Sequence, residues 1–291
     1  MRTVSVPLMV CVVVASLLLG GVSWGDSFVL SGDFLRVGVN NSGGLIDGAF
    51  THGIQFDPAG TGTFGAEDFI KPGSPLEWYG MGTGGSSRVA GYNYGNNFFA
   101  STTNTSASGI LAAHSSGSFG SLGFTQDLHF GSSDHTVYFD VTLTNNGGAS
   151  LTDVVYDRGL DPDQDSYTFG TNATLNSIPN SSTVVATGPV SGHWIAIQDY
   201  SGFGVPSVTG WEEDPYASDL RLGNANLIGL GDNTISMDWS LGDLAPGSSR
   251  TMRFGYELGP TTAGPTPELP PIALLSALPL GIAWLRRRRA A

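Results

Sequence analysis

The sequence predicts an all-β protein built as an antiparallel β-sandwich. Glycine accounts for 42 of the 291 residues and is spread among short apolar runs, the pattern of many turns between short strands. Lysine occurs once, and few segments could form an amphipathic helix. The run Thr136-Val137-Tyr138-Phe139-Asp140-Val141-Thr142-Leu143-Thr144 alternates strictly. It places Val137, Phe139, Val141 and Leu143 on one face. Aromatic residues and an apolar content of 40% indicate a folded core rather than a disordered chain.

The strands follow in order. Phe28-Val29-Leu30, Phe34–Val39 and Gly53–Asp57 come first, and a Pro-Gly turn at 72–73 precedes Leu76–Tyr79. Phe98–Ala100, Ser108–Leu111 and Ser121–Phe130 lead into the alternating run. Asn145-Asn146-Gly147-Gly148 reads as a hairpin turn into Leu151–Tyr156, because Asn-Gly accepts the positive φ that tight hairpins need. Thr183–Ala186, His193–Ile197, Thr234–Trp239 and Thr251–Tyr256 complete the set, with a turn at Leu244–Gly247.

Two stretches resemble bacterial immunoglobulin-like modules: Val141–Gly147 with Leu151–Val154, and Leu241–Ser248. The resemblance implies an early hairpin and the turn into a final strand. The two stretches lie about 100 residues apart, farther than one small sandwich needs. An insertion between roughly Asp157 and Thr234, or one larger sandwich, would account for this. The β body is thus expected over 26–258, as one unit or as two packed parts, 26–130 and 131–258. A linker follows over 259–267.

The ends read as addresses. Arg2, an apolar run through Leu19, and small residues at Ser23 and Gly25 form a signal peptide over 1–25. The tail over 268–291 follows the Pro-rich segment from Gly264. It holds an apolar stretch, Ile272–Leu285, interrupted by Pro279 and Gly281, and then Arg286, Arg287, Arg288 and Arg289. A spanning helix wants about 20 apolar residues, so this one would sit thinly with its arginines on the cytoplasmic side. Pro267-Glu268-Leu269, an apolar helix and an arginine block resemble the PEP-CTERM class of sorting signals. The usual motif is Pro-Glu-Pro, and this chain has Leu269 in its third place. The resemblance implies an exosortase-like processing enzyme as partner, transient anchoring in the inner membrane, and a destination at the cell surface or outside the cell. A sortase signal is the competitor, but Leu269–Ala273 lacks the Thr-Gly that such an enzyme cleaves.

Charge and cysteine narrow the function. The region between signal and tail carries seven basic and 24 acidic residues, a net charge of −17. That excludes a nucleic-acid partner, which needs a basic surface, and suits solubility and cation binding. The one cysteine, Cys11, lies in the signal, so the body has neither disulfides nor a thiol nucleophile.

Among candidate sites the strongest is Asp161, Asp163 and Asp165, three carboxylates on alternate residues that could hold calcium. The likeness to a helix–loop–helix calcium loop ends at Ser166 and Asn172, where Gly and a bidentate Glu would stand. Trp211–Tyr216 is a second acidic patch, with aromatic flanks suited to a sugar. Among the five histidines no metal-ligand spacing occurs, although Asp127 and His129 share a strand face. Gly80–Gly85 reads as a flexible turn, since it lacks the lysine of a phosphate loop. No catalytic motif is present. The expected protein is therefore a non-enzymatic surface or matrix component with a structural or adhesive role, with extracellular polysaccharide as a candidate partner. The alternative is a secreted carbohydrate-binding module or hydrolase. Replacing all four tail arginines with serine is expected to weaken retention and change the sorted product. Fractionation and mass measurement check this, and unaltered localisation and mass would refute the sorting reading.

Overall fold

Alternation in β-strands sends successive side chains to opposite faces, and the body uses this to build two facing layers. The structure is a computed structural model and describes residues 27–74, 76–91 and 101–260. The signal expected over 1–25, the expected Phe98–Ala100 strand and the tail expected over 268–291 lie outside the described residues. Among those described, no helix is long and apolar enough to cross a membrane.

The chain begins with β1 (Phe28–Ser31), β2 (Leu35–Val39), β3 (Ile54–Phe56), β4 (Glu77–Thr83) and β5 (Ser86–Gly91). After residue 100 come β6 (Ser101–Asn104), β7 (Ile110–Phe119), β8 (Leu122–Gly131), β9 (Thr136–Asn145) and β10 (Leu151–Leu160). A single turn, α1 (Ser166–Phe169), precedes β11 (Thr174–Asn180), β12 (Thr183–Thr187), β13 (Trp194–Asp199) and β14 (Val205–Thr209). Another, α2 (Ser218–Arg221), leads to β15 (Gly229–Gly231), β16 (Thr234–Leu244) and β17 (Ser249–Gly259).

These strands form an all-β antiparallel sandwich. The large sheet has nine strands in the order β15-β11-β12-β13-β17-β9-β8-β7-β6. The second has five, β14-β16-β10-β4-β5, and β1-β2-β3 form a small third sheet. Both main sheets join strands from the two parts of the chain side by side, β8-β7-β6 at one end of the large sheet and β4-β5 at one end of the five-stranded one. The expected alternation in β9 is present, with Val137, Phe139, Val141 and Leu143 all buried. Within the large sheet Phe139 stacks on its register partner Phe254 at 4.8 Å, and across the interface Phe254 meets Trp239 of the opposite sheet at 4.9 Å. Each such side chain contributes about 1.5–3 kcal/mol by leaving water.

Asn145–Gly148 departs from the hairpin expectation. β9 pairs with β8 and β17, whereas β10 pairs with β16 and β4, so this turn carries the chain from one sheet to the other. The reason is Asn145 itself. Its side chain is fully buried and donates to Ala149 O and Leu244 O, both at 2.8 Å. Backbone bonds at 2.9 Å join Asn145 to Gly247 and Ser248. The two immunoglobulin-like stretches thus meet at one corner. Gly80–Gly85 also differs from the expected turn: Gly80, Met81 and Gly82 lie within β4, and only Gly84 and Gly85 turn the chain, both with positive φ.

The core contains an ion pair. Arg158 of β10 and Glu77 of β4 are fully buried and in contact. Arg158 also donates from Nη1 to Gln126 Oε1 (2.7 Å) and from Nε to the Tyr256 hydroxyl (3.1 Å). Its guanidinium lies 4.5 Å from the Phe139 ring centre. Burial alone would favour discharging Arg158, but the Glu77 carboxylate outweighs it and holds the group more firmly protonated. Truncating Glu77 to Ala is expected to cost about 3–5 kcal/mol, because a lone buried charge is left behind. Glu77→Ala combined with Arg158→Met should cost less than Glu77→Ala alone. Urea unfolding of the set checks both statements.

Candidate functional site

Side chains on the outward face of the nine-stranded sheet fall into rows fixed by register. His114, Asp127, Asp140 and Arg253 are directly opposite one another across β7, β8, β9 and β17. The next row places His129 beside Tyr138. Two carboxylates facing each other across strands repel, and here each has a partner on its far side. His114 Nδ1 lies 2.7 Å from Asp127 Oδ1, and Arg253 Nε lies 3.7 Å from Asp140 Oδ1. His129 joins the group, with Nδ1 3.9 Å from Asp140 Oδ2 and Nε2 3.3 Å from Arg253 Nη2. A guanidinium only donates, so Nε2 of a neutral His129 is the acceptor and its Nδ1 carries the proton toward Asp140.

Aromatic surface lies within the same group. Tyr138 stacks with His129 at 5.6 Å and tilts against Tyr200 at 5.8 Å, and the Arg253 guanidinium is 5.4 Å from the Tyr138 ring centre. Hydroxyls continue the face along the strands: Thr142 bonds Thr251, and Thr144 bonds Ser249, each at 2.8 Å. Beside them runs an open groove of about 520 Å³ lined by Ser101, Ser116, Thr125, Thr144 and Asn146. Asp127 and His129 were legible as sharing a face. Asp140, Tyr138 and Arg253 come from other strands, so register alone reveals them.

The outward face of the five-stranded sheet is acidic and roofed. Asp157 of β10 and Asp238 of β16 are register partners, both buried. Trp78 Nε1 donates to Asp157 Oδ2 at 2.6 Å, and the Trp78 ring lies flat on Gly159, where any Cβ would come within 2.3 Å of it. Neither Asp238 oxygen has a hydrogen-bond partner, and nor does the hydroxyl of Ser236. The roof is the segment from Trp211 to α2. It is held by Tyr216 Oη donating to Asp153 O (2.6 Å) and by the two-pronged Arg221–Asp153 pair (2.8 and 3.0 Å). Burial raises the Asp157 carboxyl well above its ordinary range, against the Trp78 bond and with the repulsion of Asp238. Burial likewise raises Asp238 to about 7, with Arg221 opposing and Asp153 adding.

The predicted carboxylate trio is rearranged. Asp161 and Asp163 do come together, but Asp165 turns away. Alternation aims side chains one way only while the chain is extended, and β10 ends at Leu160, while Asp165 has α-region dihedrals (φ −87°, ψ −5°) at the start of α1. Its carboxylate instead accepts from the Val190 and Ser191 amides at 2.8 and 3.2 Å. Asp232, from the turn between β15 and β16, takes the vacated place. One oxygen from each of Asp161, Asp163 and Asp232 lies within 4.8 Å of the others, a group that could hold a metal ion. Burial raises Asp161 to about 6, with the Trp211 bond opposing and Asp232 adding. Burial, Asp161 and Asp232 together raise Asp163 to about 8.

Trp211, whose ring is half exposed, donates from Nε1 to Asp161 Oδ2 at 2.8 Å. Its segment therefore serves as a roof and a tether more than as an open sugar platform. His135 packs on Phe34 at 4.2 Å, while the neighbouring Asp134 accepts the Gly131 amide. Pro267, Glu268, Leu269 and Arg286–Arg289 lie outside the described residues.

The sequence matches no family model and no curated protein. Solved structures align with the fold to differing extents. A bacterial glucoamylase in complex with acarbose aligns with a TM-score of 0.53 at 11% identity, over 82% of this chain and 34% of that one. The chain thus spans about a third of that enzyme's length. An aldose 1-epimerase candidate from Escherichia coli K12 aligns at 0.45 with 13% identity, over 80% of this chain and 99% of that one. A galactose mutarotase-like protein from Lactobacillus casei ATCC 334 aligns at 0.38 with 10% identity, over 80% and 99% of the two chains. The expectation of a non-enzymatic body is corrected by the first of these. The sandwich matches about a third of that glucoamylase, so the lack of a sequence motif does not establish a non-enzymatic body.

The roofed pair makes a pH prediction. Its folded carboxyls hold protons more tightly than the unfolded ones, whose ordinary value is 3.8. The contribution of Asp238 is therefore complete below about pH 4 and is lost as pH rises through about 7, by up to about 4 kcal/mol, and that of Asp157 is lost with rising pH in the same sense. Asp238→Asn should remove that part of the decline. Urea unfolding at a series of pH values, wild type against variant, measures it, and parallel curves would contradict the assignment.

Proposed function

We propose that the protein is a carbohydrate-active module that engages sugar on the outward face of its nine-stranded sheet. The observation that carries this is the cross-strand group of Asp127, Asp140, His129, Arg253 and Tyr138. A sugar ring stacked on Tyr138 would bring its hydroxyls within reach of the Asp140 carboxylate and the Arg253 guanidinium, the pairing of aromatic face and charged hydrogen bonds that sugars favour. The facing carboxylates and the imidazole beside them also supply proton donors and acceptors for chemistry at an anomeric centre. The shared fold with a glucoamylase supports the substrate class.

We further propose that the module is exported and displayed at the cell surface or beyond, where extracellular polysaccharide is its substrate or ligand. Support comes from an N-terminus that reads as a signal peptide over 1–25, from Pro267-Glu268-Leu269 and from Arg286–Arg289. An exosortase-like enzyme would process the tail, which anchors the chain in the inner membrane until then.

Titration of the purified protein with a panel of oligosaccharides is expected to show saturable heat. Anomer exchange and glycoside cleavage, followed by NMR on the same panel, separate catalysis from binding. Tyr138→Ala and Arg253→Ala should each weaken the interaction about tenfold or more, as loss of a stacking face or a charged hydrogen bond does, without changing the melting temperature. Absence of both binding and turnover across the panel, or equal affinity in the variants, would sink the reading.

A further inference from the structure

Asp161 and Asp163 are 4% and 1% exposed, and the Oδ1 atom of each has no hydrogen-bond partner. A buried carboxylate oxygen left this way costs about 1–3 kcal/mol or more, and native structures seldom leave it unmatched. Both residues belong to the group in which Asp161, Asp163 and Asp232 converge within 4.8 Å. Among the described residues the arginine ion pairs go to Glu77, Asp153 and Asp140, and none reaches this group. Asp161 Oδ2 is already engaged by Trp211 Nε1, which leaves Oδ1 as its open acceptor.

We propose that Asp161, Asp163 and Asp232 bind a divalent cation, calcium, and that the ion pins two separate segments together. The donor set is three carboxylates with no nitrogen or sulfur, which selects a hard cation. A spread of up to 4.8 Å suits an ion whose oxygens stand at about 2.3–2.6 Å better than magnesium, which demands about 2.1 Å and tight octahedral order. Asp161 and Asp163 lie just beyond β10, and Asp232 lies in the turn entering β16. Asp161 also holds Trp211, and with it the start of the roof over Asp157 and Asp238. The close approach at Gly73 makes room for this arrangement, since a Cβ there would come within 2.4 Å of Asp163 Oδ2. A partly exposed three-carboxylate site belongs with the weak calcium sites of extracellular modules, which fill at millimolar ion. The inference is independent of the carbohydrate reading.

The test is calorimetric titration of the purified full chain with calcium chloride, together with melting in calcium, in magnesium at equal ionic strength, and in a chelator. Saturable calcium binding is expected, with a higher melting temperature in calcium than in chelator and a smaller rise in magnesium. At calcium a hundredfold above Kd the folded state should be favoured about a hundredfold. Asp232→Asn, at an exposed turn, should abolish the calcium increment while leaving the melting temperature in chelator unchanged. Asp163→Asn should abolish it too, and Asp165→Asn should lower the melting temperature equally in calcium and in chelator. Absence of titratable heat with identical melting in calcium and chelator overturns the proposal. So does a full wild-type increment in both Asp232→Asn and Asp163→Asn.

Discussion

The contact between Arg158 and Glu77 is the constraint around which the sandwich is arranged. Two opposite charges in an apolar core are tolerable only when their remaining hydrogen-bonding capacity is met. Arg158 reaches across the interface to Gln126 on β8 and Tyr256 on β17. Glu77 Oε2 accepts the Leu45 amide at 2.7 Å, and Gln126 donates to Gly43 O at 3.0 Å, which draws the segment between β2 and β3 into the same network. Four strands and a loop from distant parts of the chain must therefore be in register together. Sliding β10 by one residue would turn Arg158 to the roof and Asp157 to the core.

Much of this was legible in the sequence, and the misreadings are local. β9 declares itself because only one of its faces is buried, so polar and apolar residues alternate. β10 declares only its first half, Leu151–Tyr156, because both of its faces are covered and Asp157, Arg158 and Gly159 hide its continuation as a central strand. Prolines obscure two other strands. Pro179 sits in β11 where its register against β12 slips between Ser177 and Asn180, and Pro206 sits in β14, an edge strand where its missing donor is harmless. β15 is only three residues long and carries no pattern to read. The candidate site was readable to the extent that Asp127 and His129 are two apart. Its other members enter through pairing between strands up to 124 positions apart, as His129 and Arg253 are.

The acidic composition also has a more specific meaning than solubility. Several aspartates staple loops by accepting backbone amides. Asp57 gathers those of Ala59, Thr61 and Thr63, and Asp68 those of Gly53, Ile70 and Lys71. Asp199 accepts four amides and the Trp239 indole. In a chain without disulfides, these side chains order long connections from within. What remains of the charge is sorted by face, mixed signs on the nine-stranded sheet and carboxylates on the five-stranded one. The first suits a neutral polar ligand, and the second demands protons or cations.

The corner at Asn145 governs how the chain can assemble. Leu151 is the register partner of Leu244, and Asn145 bonds to Leu244, Gly247 and Ser248, so everything between these points is one excursion that leaves and returns to the same place. Closing a loop of that length is entropically costly and is repaid only when both sheets are present. Contacts so distant along the chain place the protein among slow folders, on millisecond-to-second scales or beyond. The same geometry means that the excursion, with its roof and its acidic turn, can lengthen or shorten over evolution without moving the two ends that hold the sandwich shut.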